Sequence, residues 1–149
     1  MAATYKPTTE ADIGIIVAMM REFYAIDNYP MDVVVSEKLF LEFLSNPQLG
    51  KSWLILSEDE IVGYVILTFI FSFEYGGRIA FLDELYVTKQ ARGKGIGKHA
   101  IKFIQEQART VSLKLIYLEV EPHNEKARRL YVSGGFEMHK RTLMQYKIT

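Results

Sequence analysis

Three glycines at alternate positions, Gly93, Gly95 and Gly97, join a run that reads as a strand to a run that reads as a helix. The strand is Ile79 to Val87, and the helix places Ile96, Ala100, Ile101, Ile104 and Ala108 on one face. This join restricts the fold more than any other stretch. Glycine accepts φ > 0 and lets bare backbone N–H groups come close to a ligand. The helix start adds unpaired donors and a partial positive charge. Arg92, Lys94 and Lys98 bring full positive charges to the same turn. Together they predict a phosphate cradle. A glycine-rich turn without a ligand would carry the same short motif, so the rest of the chain has to decide.

The spacing excludes two common cradles. A dinucleotide fingerprint needs G-x-G-x-x-G, and a P-loop needs G-x-x-x-x-G-K-S/T; neither occurs here. With 149 residues the chain is the size of one domain, and 49% hydrophobic residues can supply a core. Residues 1–149 are therefore read as a single domain. Lys+Arg and Asp+Glu both number 18, which argues against a nucleic-acid or membrane-surface binder. Without cysteine there is no disulfide, thiolate metal site or cysteine nucleophile. His99, His123 and His139 lack ligand spacing, so no metal is expected. The N-terminus has no signal-like apolar core, and the longest apolar run, Ile61 to Phe73, is too short to span a bilayer. These features predict a soluble cytoplasmic protein.

Along the chain, Tyr5 to Pro7 ends a short strand, and Thr9 with Asp12 forms an imperfect capping box. A helix follows through Ile13, Ile16, Val17, Met20, Phe23 and Tyr24, then a loop over residues 27–32. Ser36 is expected to cap a second helix, which Asn46-Pro47 ends. Trp53–Leu56, Ile61–Phe73 and Ile79–Val87 read as strands in an antiparallel meander. After the glycine helix, Leu115–Val120 is a strand, Glu125–Val132 a short helix ended by Gly134-Gly135, and Met144–Ile148 a last strand. The fold class is α/β (α+β): a mixed, mostly antiparallel central sheet with helices on both faces.

Arg92-x-x-Gly95-x-Gly97 resembles the R/Q-x-x-G-x-G/A signature of the GNAT superfamily of acetyl-CoA-dependent N-acetyltransferases. Three further features match: Leu85-Tyr86-Val87 ending five residues before Arg92, Asn124-x-x-Ala127, and Leu130-Tyr131-x-x-Gly134-Gly135-Phe136. The resemblance is best from Trp53 to Ile148. It implies that the amides of Arg92, Gly93, Lys94, Gly95, Ile96, Gly97 and Lys98 hold the coenzyme A pyrophosphate, with Asn124 and Ala127 also on the cofactor side. It implies a bulge in the strand before the loop, which frees the Leu85 N–H for the thioester carbonyl and lets Tyr86 and Val87 border the pantetheine arm. It implies direct ternary-complex transfer of acetyl from acetyl-CoA to a primary amine, and dimers are common in the family. A non-catalytic acyl-CoA sensor with the same cradle is the rival.

Acetyl transfer to an amine needs an unprotonated nitrogen, although a free alkylamine has a pKa of about 10. It also needs a proton for the thiolate. Tyr131, seven residues after Asn124, is the candidate general acid, since a phenol can donate and stay neutral at pH 7. The alternative is a packing tyrosine. Asp83 and Glu84 interrupt an otherwise apolar strand, where carboxylates are seldom buried unpaired. Neighbours along a strand point to opposite faces, so one is expected at the site and the other at a structural partner. The glutamate base of the family's histone-modifying branch would align with Phe81, so that base is absent. An acidic pair at this place resembles the polyamine acetyltransferases; a salt bridge to Arg78, Lys89 or Lys114 is the plainer alternative. Asp27 and Asp32, with Tyr24 and Tyr29, are candidate contacts to a small cationic amine.

Overall fold

The computed structural model describes residues 2–149, which pack as two compact units divided between Glu119 and Val120. The first carries β1 (Ala3–Pro7), α1 (Ile13–Ile26), α2 (Val33–Ser45), β2 (Gly50–Ser57), β3 (Glu60–Ser72), β4 (Gly77–Val87), α3 (Ile96–Thr110) and β5 (Ile116–Tyr117). The strands form one sheet in chain order; β1 to β4 are antiparallel and β5 joins β4 in parallel. The β2–β3 turn suits a tight hairpin, because Glu58 and Asp59 both take positive φ, 52° and 65°.

Period-2 alternation in the central strands feeds two cores. Leu54, Tyr64, Ile66 and Tyr86 pack with Ile13, Ile16, Val17, Met19 and Met20 of α1 and Phe40 of α2. Ile55 and Val62 pack instead with Ala91, ahead of the glycine turn, and with Ile96 and Ala100 at the start of α3, where Leu85 and Val87 also lie. Leu54 and Ile55 are sequence neighbours with opposite partners, so the helices cover both faces as expected. Burying each such aliphatic side chain contributes about 1.5–3 kcal/mol.

β4 carries the irregularity that matters. Ile66 pairs with Glu84, but Leu67 pairs with Leu82, so Asp83 is an extra residue on β4. This is a β-bulge, and a one-residue slip exchanges the faces of everything beyond it. Glu84 and Tyr86 thereby join the α1 and α2 side, while Leu85 and Val87 turn to α3.

Some boundaries differ from expectation. Asp32, not Ser36, caps α2: its Oδ1 accepts from Val35 N at 2.9 Å, one turn earlier than the pattern suggested. The predicted strand 115–120 is reduced to Ile116–Tyr117, paired with Ala80 and Phe81 just before the bulge redirects β4. The predicted strand 144–148 is absent. Met144, Tyr146 and Ile148 alternate as strand residues do, yet are 88%, 89% and 88% exposed. Their unit holds α4 (Glu125–Ser133) and, among the described residues, no strand to pair with. Strand propensity cannot form a ladder without a partner.

Candidate active site

Beyond the bulge, the outer edge of β4 has no strand beside it among the described residues. Thr88 N donates to Val62 O at 2.8 Å, and Tyr86 lies opposite Tyr64, so these residues face β3. By alternation the backbone groups of Leu85 and Val87 face the other way, where β5 has already ended. The bulge and free edge implied for the strand before the glycine loop are therefore present. The Val87 carbonyl accepts from Arg92 Nε at 2.9 Å.

That bond also redefines Arg92. Its guanidinium lies 5.6 Å from the centre of the Tyr86 ring, and Tyr86 Oη donates to Glu22 Oε2 at 2.9 Å. Arg92 thus ties the loop to β4 as well as adding charge.

In the loop, Gly93 and Gly95 have φ of 78° and 79°, and an added Cβ at either would meet nothing within 4 Å. The need for glycine there is conformational. Gly97 differs from expectation: it is helical, inside the first turn of α3, so positive φ is not its reason. The first helical bond of α3 runs from His99 N to Gly95 O at 3.1 Å. The N–H groups of Ile96, Gly97 and Lys98 precede it and are available to an anion. Ile96 is buried and pins the turn to the core, while Lys94 and Lys98 are exposed around it.

On the opposite face of β4, Glu84 is 9% exposed. Tyr24 Oη donates to its Oε2 and Tyr64 Oη to its Oε1, each at 2.6 Å. Burial pushes the Glu84 carboxyl above its usual range; the two phenols oppose that shift and the charge of Asp83 adds to it. None of the ion pairs among the described residues involves Glu84. Asp83 is exposed at the bulge. Neighbouring protein raises its carboxyl, and the charge of Glu119 raises it further. The structure thus joins Tyr24, Glu84 and Asp83. Of the α1–α2 loop, Tyr29 is exposed with its N–H on Tyr24 O at 2.9 Å, Asp27 closes α1, and Asp32 serves as the cap described above. Tyr64, Glu22 and Glu119 escaped sequence reasoning; a tyrosine inside the apolar run of β3 was the available signal for the first.

In the second unit, Asn124 Oδ1 accepts from Ala127 N at 3.1 Å and caps α4. Tyr131 lies on α4 with its ring edge-on to Phe136 at 5.9 Å, and burial raises its phenol. Among the described residues no group of three His, Asp or Glu could hold a metal ion, and no helix is long and apolar enough to cross a membrane.

Residues 17–136 match the family model described as the acetyltransferase (GNAT) family. The chain belongs to the GNAT acetyltransferase family. It is 33% identical over 141 residues to a thialysine N-epsilon-acetyltransferase of Mus musculus, covering 88% of this chain and 82% of that one. It is 31% identical over 134 residues to the N-acetyltransferase YhfO of Bacillus subtilis, covering 89% and 86%. An integron cassette protein from the mobile metagenome of Cole Harbour Salt Marsh superposes with a TM-score of 0.87 at 30% identity, covering 97% and 90%. This GNAT chain is accordingly an acetyl-CoA-dependent N-acetyltransferase. The bulge, the free β4 edge and the glycine turn are the parts of its first unit that fit that chemistry.

Proposed function

We propose that this GNAT enzyme, working as one catalytic domain in the cytoplasm, moves acetyl from acetyl-CoA directly to the primary amine of a small cationic molecule. One observation carries the proposal: the bulge at Asp83 turns the Leu85 N–H to an unpaired edge and the Glu84 carboxylate to the other face. The glycine turn fits a pyrophosphate, because its positive-φ glycines are open to approach and the α3 start supplies free donors. Acetyl-CoA supplies the activated acetyl group. The amides of residues 92–98 would hold its phosphates, and Val87 its pantetheine arm. The Leu85 N–H would stabilise charge developing on the acetyl oxygen, a role worth about 2.7–4 kcal/mol for one preorganised donor.

Asp83 and Glu84 would draw in the ammonium, since Glu84 is a buried carboxylate with no cation beside it. The thialysine specificity in a relative's name supports an amine at the end of a short cationic side chain. Glu84 takes one amine proton, and Tyr131 is proposed to supply a proton to the departing sulfur. The test is thiol release from acetyl-CoA over diamines, lysine-like amino acids, aminoglycosides and peptides. Turnover is expected with a small di-cationic amine. Acetyl-CoA binding without turnover on any amine would indicate a non-catalytic acyl-CoA sensor instead.

A further inference from the structure

The two phenols on Glu84 differ in access. Tyr64 is fully buried, whereas Tyr24, on α1, is half-buried. Each occupies one carboxylate oxygen at 2.6 Å. The carboxylate itself is almost sealed, and of its two phenol partners only Tyr24 belongs to a residue that reaches solvent. We propose that Tyr24 is a catalytic residue that relays the acceptor's proton to Glu84 Oε2, while Tyr64 only fixes the carboxylate. This rests on the assignment of Glu84 as the amine's proton acceptor.

The step balances. An ammonium becoming an amide sheds two protons. One replaces the proton that Tyr131 gives to the sulfur as the C–S bond breaks. The other passes to Tyr24 Oη while Tyr24 hands its own proton to Glu84; the N–C bond forms, and Glu84 later returns the proton to water. Tyr24 is neutral before and after. Burial, then the hydrogen bond and charge of Glu84, raise its phenol, so a stored tyrosinate is not the base. Besides Tyr24 and Glu84 themselves, three titratable groups face the relay: Tyr64 from β3, and Asp83 and Tyr86 from β4, with Tyr86 bonded in turn to Glu22.

The experiment compares Tyr24→Phe, Tyr64→Phe, Glu84→Gln and the double variant Tyr24→Phe/Glu84→Gln with one diamine across pH. Melting curves accompany the rates, and 13C NMR of the Glu84 carboxyl is recorded in the coenzyme-free protein. Either phenylalanine removes a hydrogen bond that favours the carboxylate, so both should move the Glu84 titration, and the acid limb of kcat, to higher pH. Only Tyr24→Phe cuts the path. Its plateau kcat should fall about 10²-fold, at least tenfold further than that of Tyr64→Phe, with a smaller change in the amine KM. The double variant should be no slower than Glu84→Gln, because the two residues act as a unit. A Tyr24→Phe plateau at the wild-type rate, with Glu84→Gln slow, overturns the relay alone. Glu84→Gln at the wild-type rate overturns the base assignment and the relay with it. If Tyr64→Phe does not fold, additive losses in the double variant overturn the relay instead.

Discussion

At the scale of single residues, Glu84 sets its proposed role against stability. Its carboxyl is raised by burial, so ionisation is less favourable in the folded chain than in the unfolded one. Such a group costs stability above its folded pKa, and the cost disappears as pH falls below the unfolded value. Glu84→Gln should therefore melt higher than the wild type at pH 7–8, with the gap closing toward pH 4, even as acetylation slows. Each kcal/mol corresponds to about 2–4 °C for a chain of this size. Calorimetry over that range checks the sign; a lower melting temperature at pH 8 would mean the ionised carboxylate is net stabilising. Gly95 gives a second residue-scale test. At φ 79° and with open space around it, valine would strain the backbone and project toward an approaching anion. Gly95→Val should fold yet lose acetyl-CoA binding in titration calorimetry. Tyr131→Phe should lower kcat about 10²–10⁴-fold with little change in the acetyl-CoA KM, and rates across pH distinguish this from a packing role. The sequence showed which residues break pattern, Asp83, Glu84 and the glycines. It could not show which carboxylate is buried, because that depends on one inserted residue in the β4 ladder.

At the scale of elements, legibility followed periodicity. α1 and α3 were visible because their apolar residues recur every three or four positions, and β3 because its run is long and β-branched. The bulge was not readable: Ile79 to Val87 looks continuous, and only pairing with β3 shows that Asp83 has no opposite number. The same hidden feature shortened β5. The start of α2 was misplaced because both Asp32 and Ser36 are acceptable caps, and only the structure shows which side chain reaches a free N–H. Asp32→Ala should accordingly cost about 0.5–2 kcal/mol, seen as a lower urea midpoint with an unchanged slope. An unchanged midpoint would leave the cap without energetic weight.

For the molecule as a whole, overall neutrality hides a local asymmetry. Formal charge sums to zero, but Asp83, Glu84 and Glu119 gather at the end of β4 while Arg92, Lys94 and Lys98 surround the glycine turn. The two reactants proposed for this enzyme carry the matching signs: an anionic coenzyme and a cationic amine. Fields of this kind raise encounter rates and are weakened by salt. The family was readable because its signature lies in contiguous motifs. The acceptor was not, because the groups that would meet it come from α1 and β4, more than fifty positions apart. The measurement that bears most directly on the account is kcat/KM for a short diamine and for an uncharged-chain monoamine of equal length, at low and at physiological ionic strength. The diamine should be preferred, and its kcat/KM should fall steeply with salt while that of the monoamine falls less. Equal values for the two amines with the same salt dependence would contradict a cationic acceptor drawn in by Asp83 and Glu84.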